Sequence, residues 1–154
     1  MMRHPALQPL SREHHHALAL CVLVERALHE GTKSCGELAG EIREAFRRDL
    51  RPHFDAEEQV LLPAIEVDVA LQPLCHRVRE DHLELARRVA ALADAPGEEA
   101  LRSFTALLRD HVRMEENELF EQIQARLGAE ALRELGARLA AAGGPVCANR
   151  GNKE

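Results

Sequence analysis

The sequence predicts an all-α protein: an antiparallel, up-down-up-down four-helix bundle followed by a short fifth helix. Apolar residues make up 45% of the 154 residues, but the only aromatic ones are four phenylalanines, so leucine, alanine, valine and isoleucine must build the core. Charged residues make up 30% of the chain and alternate with apolar ones at helical spacing, whereas alternating β-branched runs are absent. Four long amphipathic segments with short connections favour a bundle, and the length favours one domain.

The first helix is predicted to run from about residue 10 to Glu30. Residues 1–9 contain two prolines and little periodicity, which indicates an irregular lead-in. The hydroxyl of Ser11 is suited to accept a hydrogen bond from the free amides of a first helical turn. Gly31 is the type of residue that ends a helix in the left-handed conformation.

The second helix is predicted from about Ser34 to Ile65, with an interruption at Pro52. A proline there removes the amide that would bond to the carbonyl of Arg48, so a kink is expected just before His53. Pro63 lies near the predicted end of the helix. The stripe predicted to face inward consists of Leu38, Ile42, Phe46, His53, Glu57, Val60 and Ala64.

The third helix is predicted over about residues 71–93, with Pro73 in its first turn, and the fourth from about Glu98 to Leu127. The segment ADAPGEE between them indicates a loop, and Gly128 ends the fourth helix. The inward stripe of the third helix is Val78, His82, Leu85, Val89 and Leu92, and that of the fourth is Leu101, Phe104, Leu108, His111, Glu115 and Leu119.

A fifth, short helix is predicted over about residues 129–142, with Leu132, Leu135 and Leu139 on one side, packing across the bundle. Residues 143–154, GGPVCANRGNKE, are predicted to form a disordered tail because they are rich in glycine and polar residues.

The charge and composition of the chain exclude several classes of function. A net charge of -6 and a pI near 5.9 argue against a nucleic-acid partner or an anionic membrane surface. The apolar runs are too short to span a membrane and the first residues do not resemble a secretion signal, so a cytoplasmic location is expected. Four widely separated cysteines, without a C-x-x-C pair, do not predict a disulfide framework or a thiolate zinc site.

A sequence motif that occurs twice, here called the repeated phrase, contains candidate metal-binding residues. Residues 53–65 read HFDAEEQVLLPAI and residues 111–123 read HVRMEENELFEQI. His53 and Glu57 are four residues apart, as are His111 and Glu115, so each pair lies on one helical face, one turn apart. One such pair can clasp a cation, and two pairs on facing helices can surround two cations.

A weaker repeat adds a histidine to each of the other two helices. Residues 10–14 read LSREH and residues 78–82 read VREDH. Counting along the helix from His14 meets apolar residues at the offsets found around His82, whereas counting from His15 meets polar ones. His14 is therefore predicted to face inward, with His15 as the alternative, because adjacent helical residues are turned by about 100°.

Four imidazoles and two carboxylates on inward stripes predict a pair of bound cations. Without a partner, each buried ion would cost several kcal/mol, and shared cations remove that cost. Imidazole and carboxylate donors suit iron, zinc, manganese or copper, and the lack of thiolates argues against structural zinc. Glu57 and Glu115 would bridge the cations. His14 with His53, and His82 with His111, is a plausible division that the sequence leaves open.

The alternative interpretation is that each of these residues is a core histidine with a local partner or a solvent-facing glutamate. The repetition of the phrase on apolar stripes favours metal over that alternative. Neighbouring acids are predicted to be solvated or to orient a histidine; these are Glu58, Glu116, Asp55, Asp81 and Asp110. Of the other histidines, solvent exposure is predicted for His4, His29 and His76, and a position on the helix flank for His16.

The segments REHHHAL, RPHFDAEEQVLLPAI, REDHLEL and DHVRMEENELF resemble the hemerythrin-like family of HHE cation-binding domains, over roughly residues 10–125. The resemblance implies an antiparallel four-helix bundle with two non-haem iron ions, held by histidines and two bridging carboxylates, in a domain spanning residues 1–142. Zinc or manganese are the alternative metals. Carried over residue by residue, the implied ligands are His14, His53, Glu57, His82, His111 and Glu115.

The chain departs from the oxygen-carrying hemerythrins at one position. Those proteins have a further histidine ligand one turn after the third-helix ligand, and Ala86 stands there in this chain. Six protein ligands instead of seven imply an extra open coordination position on one metal. This departure favours sensing of oxygen or nitric oxide, peroxide chemistry or iron handling over reversible oxygen carriage.

The resemblance leads to three hypotheses of function. The first is a non-haem di-iron protein, monomer or homodimer, that binds or senses oxygen or a related diatomic ligand and is not an enzyme. The second is a di-iron enzyme acting on oxygen or peroxide, or an iron donor in the repair of iron–sulfur centres under oxidative or nitrosative stress. Family members that serve repair typically bear a cysteine-rich segment, which this sequence lacks. The third is a metal-free helical interaction module.

Overall fold

The structure is a computed structural model that describes the backbone of residues 2–148 and the side chains of residues 2–142. Within that part of the chain there are five helices, here named α1 to α5, and no strand, as the sequence predicts. Over the same residues, no helix combines the length and the apolar character needed to cross a membrane.

Helix α1 spans Gln8–Glu30, and Gly31 ends it with a φ of 66°, the left-handed conformation that was predicted. The predicted cap at Ser11 is wrong. The helix begins three residues earlier and carries Pro9 in its first turn, where a missing amide costs no helical hydrogen bond. The lead-in before the helix packs against the core, because Ala6 and Leu7 are buried.

Helix α2 covers residues 35–65 and contains two wide π-helical turns, Phe46–Leu50 and Glu57–Leu61. Its N-cap is Ser34, whose side chain accepts a hydrogen bond from the amide of Glu37. The interruption predicted at Pro52 takes the form of the first π turn. The amide of Arg51 bonds to the carbonyl of Phe46, five residues back, so the helix widens just before the proline that lacks a donor.

Helix α3 spans Gln72–Ala91 after a 3₁₀ turn at Val69–Leu71, and Pro73 lies in its first turn as predicted. Helix α4 covers residues 98–126 and contains a third π turn, Glu115–Leu119. Every residue of the inward stripes predicted for these two helices is buried.

The second and third π turns begin at the two glutamates of the repeated phrase. In each turn the amide five residues on bonds to the glutamate carbonyl, from Leu62 to Glu57 and from Phe120 to Glu115. The extra residue shifts the inward face of α2 by one position. The prediction for the end of that stripe was therefore wrong: Val60 and Ala64 are only half-buried, whereas the fully buried residues are Leu61, Leu62 and Ile65.

Helix α5 is Ala129–Ala148, six residues longer than the predicted end at residue 142. Its leucines Leu132, Leu135 and Leu139 are buried, as predicted. Gly136 lies against Ala6, since a Cβ on this glycine would be 3.0 Å from the Ala6 Cα. The predicted disordered tail therefore overlaps the helix over residues 143–148, and its remaining residues, 149–154, lie outside the described part of the chain.

Two apolar clusters form the core, and the polar residues of the repeated phrases lie between them. One cluster is built from apolar residues of segments 17–27, 38–54, 85–92 and 101–112, and the other from apolar residues of segments 6–10, 61–65, 71–78, 114–123 and 132–139. On α1 and α3 the change from one cluster to the other occurs at His14 and His82. On α2 and α4 it occurs around the two HxxxE pairs.

Candidate metal centre

All six residues predicted to bind metal are buried and lie in the zone between the two apolar clusters. His14, His53, His82 and His111 are at most 5% exposed, and Glu57 and Glu115 are 0% exposed. The structure also distinguishes the two candidates on α1. His14 is 1% exposed, whereas His15 is exposed to solvent, so only His14 reaches the centre.

The six side chains form two groups that share both glutamates. In the first group are His14, His53, Glu57 and Glu115, with one donor atom from each residue within 4.8 Å of the others. In the second group, His82 and His111 join the same two glutamates under the same condition. The histidines are therefore grouped in the way that the sequence suggested but left open. We call these groups the first and the second position.

Each imidazole directs its Nε2 atom towards a shared carboxylate. At the first position Nε2 is 3.0 Å from Glu115 for His14 and 3.2 Å from Glu57 for His53. At the second position Nε2 is 3.3 Å from Glu57 for His82 and 3.1 Å from Glu115 for His111. The donor atoms of four helices therefore converge on two neighbouring points.

Although each Nε2 lies close to a carboxylate oxygen, the geometry is not that of a hydrogen bond, so these converging atoms are unsatisfied among the described residues. The Nε2 atoms of all four histidines and both carboxylate oxygens of Glu57 and Glu115 are buried without a hydrogen bond. Buried polar groups are rarely left in this state, and uncompensated buried carboxylates are costly. A pair of cations would satisfy all of these atoms at once, so the residues fit the metal pair that the sequence predicts.

Three of the four imidazoles are hydrogen-bonded from the opposite ring nitrogen, Nδ1, to an outer carboxylate. Nδ1 of His14 donates to Glu116 at 2.7 Å and that of His53 donates to Glu13 at 2.5 Å. Nδ1 of His111 donates to Asp81 at 3.0 Å. A neutral imidazole that donates from Nδ1 has its lone pair at Nε2, so these bonds direct metal-binding atoms towards the centre.

The orienting role predicted for neighbouring acids is thus found for Glu116 and Asp81. Glu58 approaches the fourth imidazole, on His82, only to 3.5 Å from Nδ1, and Asp55 and Asp110 are exposed. Sequence reasoning missed Glu13. The sequence did contain a signal, because Glu13 directly precedes His14 just as Asp81 directly precedes His82. In the structure Glu13 bonds to His53 and Asp81 bonds to His111.

The remaining histidines lie outside the centre. His29 and His76 are exposed, as predicted, and His16 is exposed on the flank of α1. The prediction that His4 is solvated was wrong, because it is half-buried and its Nδ1 accepts a hydrogen bond from the amide of Ala6.

Close pairing of acids and bases shifts the protonation of the centre when no metal is bound. Burial alone would lower the pKa of His111, but the charge of Glu115 and the hydrogen bond to Asp81 raise this pKa to about 10. Burial likewise opposes charge on His53, yet Glu57 and Glu13 raise its pKa well above the ordinary value. Burial would raise the pKa of Glu115, but the charge of His111 holds it well below the ordinary value.

Stability of the metal-free protein is therefore expected to fall as the pH rises from 6.5 to 9.5. The folded-state pKa of His111 lies above its unfolded value, so its stabilisation is complete below pH 6.5 and is lost as the pH rises through about 10. Glu115 has a lowered pKa, so its stabilisation is lost only in acid, below its ordinary value of 4.5. In the presence of a metal chelator, the thermal unfolding midpoint should fall by roughly 5 °C as the pH rises across this range. This corresponds to a loss of about 2 kcal/mol in the free energy of unfolding.

The matched variants for this pH experiment are His111→Gln and His76→Gln. The first should reduce the pH dependence of the unfolding midpoint without abolishing it, because His53 keeps its raised pKa. The second should leave the pH dependence unchanged, because His76 is exposed. A midpoint that stays level or rises to pH 9.5 in the metal-free protein would show that these histidines are not charged in the fold.

A cavity of about 520 Å³ lies beside the centre and is lined by residues of α1, α2 and α4 and by Ala142 of α5. Its outer part includes the exposed residues Arg48 and Asp49, and its inner part reaches His14, His53 and His111. Between these two parts the walls are mainly apolar and include Ala17, Leu20, Ala45, Leu50, Phe54, Leu108 and Val112. A small molecule in this cavity would lie beside the imidazoles of the centre, whereas the Nε2 atoms themselves are buried.

Comparison with known proteins gives one match. The model of the family described as "Hemerythrin HHE cation binding domain" matches residues 6–123. No curated protein and no solved structure shows significant similarity to the chain. The matched region includes all six buried residues of the centre and the outer carboxylates that hold its histidines.

Proposed function

Because the chain belongs to the hemerythrin HHE cation-binding domain family, we propose that it is a non-haem di-iron protein that binds or senses oxygen or a related diatomic ligand. The observation that carries the proposal is the pair of buried donor groups sharing Glu57 and Glu115. Two imidazoles and two shared carboxylates at each position suit iron, with manganese or zinc as alternatives.

The six buried residues would hold the metal pair in two different roles, as bridging and as terminal ligands. Glu57 and Glu115 would bridge the two ions, since each has donor atoms in both groups. His14 and His53 would complete the first position and His82 and His111 the second. The iron pair would supply redox-active binding of a small ligand, and the protein would supply fixed imidazoles, charge compensation and a water-poor surrounding.

The arrangement of the two apolar clusters supports an antiparallel, up-down-up-down bundle around this centre. One cluster consists of residues from the later part of α1 and α3 and from the earlier part of α2 and α4. The other cluster takes the opposite ends of these helices. Consecutive helices that contribute opposite ends to one cluster run in opposite directions, and the connections between them are short.

Sensing is favoured over carriage by the ligand set and the cavity together. Each position has two imidazoles and the two shared carboxylates, and Ala86 supplies no further donor where the carriers have a histidine. Positions with few protein donors leave room for exchangeable ligands. The cavity gives such ligands room beside the imidazoles of the first position. We place the protein in the cytoplasm, a location supported by the free thiols of Cys21, Cys35 and Cys75.

A second candidate function, an enzyme acting on oxygen or peroxide, is favoured by the size of the cavity. A volume of about 520 Å³ falls in the range of sites for small organic molecules and exceeds what a diatomic ligand requires. The two candidates share the same centre and differ in what happens to the ligand.

One experiment distinguishes these candidates. The iron-loaded protein is reduced anaerobically, exposed to air and then deoxygenated while its absorption spectrum is recorded. A binding or sensing protein should give a new band in air that deoxygenation removes. Irreversible bleaching would contradict reversible binding, and peroxide turnover above that of free iron, abolished in Glu57→Ala, would support the enzyme.

A further inference from the structure

The two metal positions have the same inner donors but differ in the groups that hold their imidazoles. Each position consists of two histidines and the two shared glutamates. The outer carboxylates, which fix ring orientation and raise ligand basicity, are therefore one source of a difference in affinity between the positions.

Both imidazoles of the first position are firmly held. His14 donates to Glu116 at 2.7 Å and His53 donates to Glu13 at 2.5 Å. Each of these bonds joins two helices, α1 with α4 and α1 with α2. The rings are therefore fixed before any metal binds.

Glu116 is itself held by an arginine of the lead-in. A guanidinium nitrogen of Arg3 donates to Oε2 of Glu116 at 2.8 Å and to its backbone carbonyl at 2.8 Å. The other carboxylate oxygen, Oε1, is left for His14. Arg3 also lies 5.2 Å from the centre of the Phe120 ring, and the other partner of that ring is the stacked imidazole of His14.

Further contacts fix Arg3 in this place. Its second guanidinium nitrogen donates to the side chain of Gln124 at 3.2 Å, and the same oxygen of Gln124 accepts from the amide of His4 at 3.0 Å. The Arg3 side chain is 17% exposed. Arg3, Glu116 and His14 thus form one connected chain of contacts from the lead-in to the first position.

The second position lacks the corresponding support. His111 donates to Asp81 at 3.0 Å, but Nδ1 of His82 is buried without a hydrogen bond in the described part of the chain. The nearest carboxylate, on Glu58, is 3.5 Å away. Among residues 2–142, whose side chains the structure describes, no arginine or lysine pairs with Glu58. The spacing of 68 residues between His14 and His82 leads from Arg3 to Leu71, which is apolar.

From this difference we propose that the two positions fill in order, the first before the second, and that Arg3 is the positioning residue that sets the order. The inference rests on the proposed function, because it requires that both positions bind metal. It assigns the lead-in a role in metal affinity. The second position is then the one from which an ion exchanges more readily.

The order of filling can be observed with Zn²⁺, which is diamagnetic, added to the full-length metal-free protein. Ring nitrogen resonances of ¹⁵N-labelled histidines are followed by NMR during the titration. At one equivalent the Nε2 signals of His14 and His53 should move, and those of His82 and His111 should move with the second equivalent. The two affinities, measured by chelator competition, should differ at least about tenfold.

Two substitutions test the role of Arg3. Arg3→Gln should weaken the first step about tenfold, so that the two steps merge, and should leave the second step nearly unchanged. The matched control is Arg88→Gln, which removes a half-buried arginine that bonds to Ser103 between α3 and α4. Arg88→Gln should alter neither step.

Each result has a distinct consequence. Simultaneous filling of the two positions in the wild type, filling of the second position first, or equal effects of the two substitutions would overturn the inference and leave the proposed function intact. Failure of the folded wild-type protein to bind Zn²⁺ or Fe²⁺ would overturn both.

Discussion

Glu57→Ala and Glu115→Ala are each expected to empty both metal positions. Each glutamate has donor atoms in both groups, so its removal takes a ligand from each ion and removes the negative charge that separates them. Two neighbouring cations would then repel one another in a buried zone where charges are poorly screened. Apparent affinity for iron should fall by far more than the roughly 10- to 100-fold typical of outer partners.

Metal content after purification and dialysis measures this effect. Glu57→Gln and Glu115→Gln are the isosteric variants, since they keep the shape of the side chain and lose its charge. Glu118→Ala is the matched control, because Glu118 lies in the same π turn as Glu115 but is exposed. Circular dichroism establishes that each variant is folded. Full iron content in both alanine variants would refute the bridging roles.

Ala45→Phe is expected to slow ligand entry without affecting metal content. Ala45 is half-buried and lies in the wall of the cavity, just before the first π turn of α2. A phenyl ring there would occupy part of the path to His53. Oxygen association with the reduced iron protein, followed by stopped-flow absorbance, should slow by at least about tenfold, the equivalent of roughly 1.4 kcal/mol in the barrier.

The control for this substitution is Ala90→Phe, which places the same ring on an exposed site of α3 that does not line the cavity. Its association rate should match that of the wild type. Equal rates for the two variants, with equal iron content, would mean that ligands reach the centre by another route.

The centre could be predicted from the sequence because its residues repeat. The phrase with His53 and Glu57 recurs with His111 and Glu115, and each copy lies on an apolar stripe. The structure brings both copies together with His14 and His82. Even the choice of His14 over His15 followed from periodicity, since the residues one and two turns from His14 are apolar. Local spacing is therefore enough when one helical face carries both core and ligands.

The π turns could not be predicted in this way, because a period of 3.6 residues was assumed throughout. One extra residue in the turn that begins at Glu57 moved burial from Val60 and Ala64 to Leu61 and Ile65. Pro63 follows this turn, but no proline follows the matching turn at Glu115. Proline alone therefore does not explain the two turns. Their shared place at the proposed bridging glutamates agrees with the frequent occurrence of π turns at functional sites.

The outer contacts of the centre were also beyond local reasoning. Glu13 and His53 are 40 residues apart, and Arg3 and Glu116 are 113 residues apart. Neither pair has a helical spacing, and the lead-in lacks periodicity. Such contacts depend on how the helices pack. This is why the sequence predicted which six residues the structure brings together, but only some of the groups that orient them.

The most direct test of a di-iron centre is elemental analysis of the folded wild-type chain, produced with ample iron and dialysed to remove loosely bound ions. The buried donor groups predict about two metal ions per chain, mostly iron. A folded protein with iron, zinc and manganese together below about one ion per ten chains would contradict the account. Such a result would leave a metal-free helical module, whose buried histidines and glutamates serve only to pair with each other.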